Sequence, residues 1–83
     1  IRYHMQEITL TLINKLGLHA RSAAKLVNVA SKYKAEITLH KKEQWANAKS
    51  IMGIMMLGAA RGTALVIRAE GVDAEDALAA LTA

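Results

Sequence analysis

The residues best suited to chemistry stand together at Gly17-Leu18-His19-Ala20-Arg21-Ser22, where a loop enters the first helical pattern. A helix start exposes backbone N–H groups that a preceding Ser, Thr, Asp or Asn usually caps. Here Leu18 and His19 precede the helix, and neither carries a capping oxygen. The amides of Ala20, Arg21 and Ser22 are therefore expected to stay open to an outside anion. Arg21 adds a planar fork that can pair two phosphate oxygens. The His19 ring at this helix end can offer a nitrogen lone pair. Such a histidine beside an anion site is suited to accept a phosphoryl group, because in-line transfer needs little beyond positioning and charge stabilisation. These features alone still favour the plainer alternative, a polar residue at a helix start. The phosphoryl reading requires an accessible ring and first-turn amides that no other protein group occupies.

The second candidate is Asn47-Ala48-Lys49-Ser50-Ile51-Met52-Gly53-Ile54-Met55-Met56-Leu57. Ser50 is placed to cap a short helix running to about Leu57, with Gly58 as its C-terminal stop. Ile54 and Leu57, three apart, can point at a sheet. Ile51, Met52 and Met55 lie round toward another face that two helical turns cannot also bury, and exposed methionines make adaptable contact surfaces. Met56 is read as buried. A phosphate on Ser50 would sit favourably at the helix N-terminus and set roughly two negative charges beside the apolar patch.

The elements that must hold these residues follow from periodicity. Ile8, Leu10 and Leu12 alternate with Glu7, Thr9 and Thr11, the period of a half-buried strand. Ala20, Ala23, Ala24, Val27 and Ala30 fall on one helix face, predicting a helix that ends near Lys32. Alternation over 36–40 and 44–48 around a Lys41 to Glu43 turn predicts a hairpin, in which His40 faces solvent. Thr63 to Glu70 reads as a strand with Leu65, Ile67 and Ala69 on one side. Asp73 is placed to cap a last helix, with Glu75 and Asp76 complementing its dipole and Ala74, Ala77, Leu78 and Leu81 forming its buried stripe. One-sided strands predict a mainly antiparallel sheet with all the helices on one face: an α+β open-faced two-layer sandwich.

The chain has 83 residues, enough for one domain that buries about two-thirds of its unfolded surface. That excludes a doubly wound nucleotide-binding fold or a barrel enzyme. Residues 5–83 are read as this single domain; residues 1–4, including His4, are read as a remnant ahead of a native start at Met5 and given no function. The absence of cysteine removes disulfides, thiolate zinc sites and cysteine nucleophiles. It also fits a reducing compartment. No metal and no cofactor are expected. No apolar run approaches the roughly 20 residues of a membrane span, and no leader pattern opens the chain, which predicts a cytoplasmic protein without membrane insertion. The formal net charge is +4. Between Lys15 and Lys49 eight basic residues face only Glu36 and Glu43, so the middle of the chain should attract anionic partners.

Three motifs in order carry a resemblance: Gly-Leu-His-Ala-Arg at 17–21, Asn-Ala-Lys-Ser-Ile-Met-Gly-Ile-Met at 47–55, and Glu-Gly-Val-Asp-Ala-Glu-Asp-Ala-Leu at 70–78. Together they resemble the HPr family, the histidine-containing phosphocarriers of the bacterial phosphoenolpyruvate-dependent phosphotransferase system (PTS). The likeness spans nearly the whole chain from Met5. It implies four antiparallel strands under three helices, and a carrier rather than an enzyme in the turnover sense. It further implies that His19 is phosphorylated on Nδ1 by enzyme I and passes the group to the IIA domains of sugar permeases. By the same matching Arg21 holds the phosphoryl group, Ser50 is the target of a regulatory HPr kinase/phosphorylase, and Ile51, Met52 and Met55 form the docking patch.

This sequence departs from the family pattern at several points. Ser22 stands where proline is usual, Lys42-Glu43 replaces a turn that often carries glycine, and the chain stops at Ala83, a few residues short of the usual end of the last helix. Trp45 is also unusual. The alternatives weighed are a nitrogen-branch PTS carrier, a regulatory relative signalling through Ser50, a small phosphatase using Arg21, and a basic nucleic-acid binder. A regulatory relative would be expected to lack the active histidine, a phosphatase finds no base nearby, and a nucleic-acid platform finds only Tyr3, Tyr33 and Trp45 for stacking, which leads to an expectation of no nucleic acid.

Overall fold

The computed structural model describes residues 5–13 and 17–82. Its elements run β1 (Met5–Thr11), α1 (Ala20–Ala30), β2 (Glu36–Lys41), β3 (Gln44–Asn47), α2 (Ile51–Met56), β4 (Ala64–Glu70) and α3 (Ala74–Leu81). The expected α+β open-faced sandwich is found. The four strands form one antiparallel sheet in the order β1-β4-β2-β3. β4 thus slots between β1 and β2, an order that periodicity alone does not specify.

Register explains which face is covered. Ile67 of β4 stands opposite both Ile8 and Leu39, and Ala69 stands opposite Gln6 and Ile37. Leu65, Ile67, Ala69, Ile37 and Leu39 are buried under the helices, while Glu7, Arg68, Thr38 and His40 occupy the other face. On that face Glu7 and Arg68 form an ion pair at 2.7 Å, and Thr38 Oγ1 meets His40 Nε2 at 2.8 Å. More than half of the buried apolar residues are alanine, among them Ala23, Ala30, Ala74 and Ala77 on the helices. Small side chains let α1 and α3 approach the sheet closely, and the volume between is filled by Ile37, Leu39, Ile54, Leu65 and Ile67.

Three local expectations need adjusting. α1 ends at Ala30, two residues early, with Ser31 and Lys32 continuing as turns bonded to Val27 and Val29. In the hairpin, Lys41 pairs with Gln44, so Lys42-Glu43 is a two-residue turn, and Lys42 takes the left-handed φ of 55° that glycine would adopt without strain. Asp73 occupies the N-cap position of α3, yet its side chain makes no capping bond. Its Oδ2 accepts from the Lys34 N–H and its Oδ1 from the Ala35 N–H, both at 2.8 Å. The carboxylate ties α3 to the entry of β2 because two converging amides offer more than one at the helix start.

The Lys34 amide, aided by the Ala35 amide and the Lys49 ammonium against a smaller opposing desolvation, holds the Asp73 carboxyl below the ordinary aspartate value of 3.8. A lowered folded-state value stabilises the fold above the unfolded value, and that stability is lost as pH falls through the folded one. Asp73→Asn should therefore lower the unfolding midpoint at neutral pH, with the gap to wild type closing progressively once pH drops below 3.8. Urea titrations of both chains between pH 2 and 7 check this; a gap that stays constant across the range contradicts it.

Candidate functional site

His19 is the N-cap residue of α1, in extended backbone conformation, and its position is set from behind by the loop that follows α2. Gly17 is buried with φ +66°; a Cβ there would collide with the Ala59 carbonyl and lie 2.7 Å from Ala60 Cα. Only glycine lets the chain press this close. The Leu18 N–H donates to the Ala59 carbonyl at 2.9 Å. The same loop is fastened to the end of β1, where the Leu12 N–H donates to Thr63 O at 3.0 Å and the Gly62 N–H to Leu12 O at 2.8 Å.

Of the first-turn amides that the sequence left open, the one on Arg21 is taken. His19 supplies the cap itself: the Arg21 N–H donates to its Nδ1 at 3.3 Å. The Ser22 hydroxyl accepts the His19 N–H at 3.0 Å, completing a reciprocal capping box. A search for a capping oxygen before the helix overlooks an imidazole nitrogen in that role, and the signal that could have found it was a serine three residues on. Because a backbone N–H can only donate, Nδ1 presents a lone pair here and the neutral ring carries its proton on Nε2. The 3.3 Å separation is long for a hydrogen bond, so the imidazole is weakly held. The occupant of the Arg21 amide is the ring itself, and whatever takes the Nδ1 lone pair releases that amide.

Among the described residues the Ala20 N–H has no partner, and the exposed Arg21 side chain makes no hydrogen bond or ion pair. His19 is half-buried rather than enclosed. Ala20, Arg21 and His19 thus come together at one helix end. Ser22 joins them through its hydroxyl, which also approaches the Gly17 and His19 carbonyls at 3.3 and 3.1 Å.

α1 packs against α2. Ser50 caps α2 as expected, accepting the Gly53 N–H on Oγ at 3.0 Å. Ile54 and Leu57 are buried, whereas Ile51, Met52 and Met55 are 43%, 72% and 45% exposed. Met56 does not bury as the sequence suggested; it is 78% exposed. At 100° per residue it lies about 200° round from the buried Ile54. The basic middle is also thinned: Lys41 Nζ donates to the Leu57 and Gly58 carbonyls at the end of α2, and Lys49 Nζ to Tyr33 O at 2.7 Å. His40 lies apart from this site on the sheet's other face, half-buried against Thr38, and His4 lies outside the described residues.

With a histidine nitrogen at a helix start and an apolar patch on the adjacent short helix in place, comparison with known proteins is decisive. The family model described as PTS HPr component phosphorylation site matches residues 6–83. The chain belongs to the HPr family. A phosphocarrier protein HPr from Xylella fastidiosa (strain Temecula1) is 50% identical over 78 residues, covering 94% of this chain and 88% of the relative. The HPr crystal structure from Thermoanaerobacter tengcongensis superposes with TM-score 0.89 at 48% identity, covering 93% of this chain and 86% of that one. The HPr crystal structure from Bacillus anthracis gives 0.87 at 44% identity, covering 93% and 92%.

As an HPr-family chain this protein is a PTS phosphocarrier, which carries a phosphoryl group rather than turning over a substrate. Neither the nitrogen-branch carrier nor the nucleic-acid binder is favoured by these matches. Trp45 is the only aromatic on the open sheet face among the described residues, since Tyr33 packs toward the core. No helix among the described residues is long and apolar enough to cross a membrane.

Proposed function

We propose that His19 accepts the phosphoryl group on Nδ1 from phosphorylated enzyme I in the cytoplasm and hands it to the IIA domains of sugar permeases. The observation that carries this is the Nδ1 lone pair held at the start of α1 beside the Arg21 amide. For attack the ring swings off that amide, at a cost of about one weak hydrogen bond, roughly 1 kcal/mol. The Nδ1 pair then bonds to phosphorus as the donor's bond to phosphorus breaks and its electron pair returns to the donor. The proton stays on Nε2, so none need leave. The phosphoryl oxygens take over the Arg21 N–H, with the Ala20 N–H and the Arg21 guanidinium within the same turn. Onward transfer is the same exchange with the carrier as donor. Incubation with enzyme I and phosphoenolpyruvate should yield one acid-labile, base-stable phosphate per chain, with a ³¹P shift typical of a phosphorylated ring nitrogen; an acid-stable ester would contradict the assignment.

Ile51, Met52 and Met55 are the docking patch in this reading, and Ser50 is a regulatory site for an HPr kinase/phosphorylase. A phosphate on Ser50 Oγ keeps acceptor oxygens at the α2 N-terminus while placing its charge beside the patch. An acidic partner is then repelled without any change of fold.

Ser22 gives this site its own character. Ser22→Pro restores the family's usual residue at a position where proline is tolerated, but removes the hydroxyl that accepts the His19 N–H. The hydrolysis rate of phospho-His19 should change measurably, by about threefold or more, corresponding to roughly 0.7 kcal/mol of a capping bond. An identical rate in both chains would show that Ser22 does not bear on how the group is held.

A further inference from the structure

The sheet face turned away from the helices carries a mismatch that the fold does not resolve. In register, Glu36 of β2 stands directly opposite Glu70 of β4, with Met5 of β1 on the other side of Glu70. Like charges facing each other across strands are destabilising. The Arg68 guanidinium is taken by Glu7 at 2.7 Å, and among the described residues neither the Glu36 nor the Glu70 carboxylate has a hydrogen bond or an ion pair. Lys34 borders a hollow of about 360 Å³ with both carboxylates, yet pairs with neither. Trp45 of β3, paired with His40, is 63% exposed on the same face. With Glu36 and Thr38 it lines two adjoining hollows of about 320 and 420 Å³.

From this juxtaposition we infer that the open sheet face is a second docking surface, and that its occupant is an arginine-bearing segment of a partner protein. A guanidinium meets both features: its planar fork pairs carboxylate oxygens, and its flat face stacks on an indole. Charge argues the same way. The chain as a whole is +4, but on this face Glu7 and Arg68 cancel and Glu36 and Glu70 remain, which makes it an acidic face on a basic protein. Two copies pressed together by this face would set their unpaired carboxylates against one another, which disfavours a self-complementary dimer. A small-molecule site encloses most of its ligand, whereas these hollows lie open on a sheet. Tryptophan and methionine, here Trp45 and Met5, are instead the residue types enriched in protein interfaces. The helices and the His19 turn lie on the other side of the sheet, so a carrier held by this face still exchanges phosphoryl groups.

The probe is the peptide acetyl-Arg-Ala-Arg-Ala-Arg-amide, whose guanidiniums fall on one side when it is extended. Trp45 is the only tryptophan in the chain, so its emission reports occupancy whether or not His19 is the phosphoryl acceptor. Titration should give a saturable change, and the double substitution Glu36→Gln/Glu70→Gln should weaken binding about tenfold. The same double substitution should raise the melting temperature, because it removes the facing charges. Loss of the fold therefore cannot imitate the loss of binding. The lysine counterpart should bind less tightly, and phosphorylation by enzyme I should proceed at an unchanged rate with the arginine peptide bound. No saturable change, or equal affinity in the double variant, overturns the surface. Equal affinity for the lysine counterpart or for arginine amide alone overturns the arginine-bearing segment as occupant, as does a Trp45 signal that depends on protein concentration without peptide. A phosphorylation rate that falls in step with occupancy overturns the separation of this face from His19.

Discussion

His19→Asn should fold as well as the parent chain and accept no phosphoryl group from enzyme I, whereas His19→Ala should lose both acceptance and stability. The two substitutions separate two roles that one side chain holds. As N-cap, His19 offers Nδ1 to the Arg21 N–H at a long 3.3 Å. An asparagine oxygen is a preferred cap and replaces that bond; alanine cannot, and costs about 1 kcal/mol. For a domain of this size that lowers the melting temperature by roughly 4–8 °C. As acceptor, the imidazole supplies a nucleophilic lone pair that a carboxamide lacks, so acid-labile label should be undetectable in both variants. Thermal melts and phosphate incorporation on the same samples check the pair. Label retained in His19→Asn would place the acceptor elsewhere, with His40 the first candidate among the described residues.

The second large effect is expected at Gly17. Gly17→Ala forces an L residue into φ +66° and drives its Cβ onto the Ala59 carbonyl and to within 2.7 Å of Ala60 Cα. Backbone cannot swing aside as a side chain can. Left-handed strain of about 1–2 kcal/mol plus displacement of the 59–63 loop should destabilise the chain by roughly 3 kcal/mol. Gly58→Ala is the control. Gly58 has nearly the same φ, +62°, but nothing within 4 Å of the added Cβ, so it should cost only the strain. Urea unfolding of both variants measures the difference, which is the worth of the close approach. Equal losses would mean that Gly17 is needed for its dihedral alone. The chain that folds with Gly17→Ala should also transfer more slowly, because the Leu18 to Ala59 bond that seats His19 is disturbed.

Both expectations show where sequence reasoning was sufficient and where it was not. Alternation over β4 named its buried residues Leu65, Ile67 and Ala69 correctly, because a period of two leaves only one apolar face. Ser50 was legible as a cap because its oxygen, its spacing to Gly53 and the following apolar run are all local. His19 was legible as a candidate from its neighbours Gly17 and Arg21, and its motif carried the family resemblance. Its capping role was missed because an imidazole cap lies outside the residue types that usually announce one. Met56 was misplaced because a six-residue helix gives too few positions to locate its buried stripe.

Asp73 marks the boundary most plainly. Its type and place before α3 describe a helix cap, yet its carboxylate turns to amides 38 and 39 residues away. The sequence by itself determined the element types, the covered face of the sheet, the chemical character of the 17–22 turn and the family. Only the tertiary structure decided that β4 lies between β1 and β2, that the 59–63 loop seats His19, and that Lys41 and Lys49 are spent on carbonyls. Periodicity and capping are properties of neighbours along the chain, whereas these choices depend on which backbone groups arrive together once the sheet has closed over its core.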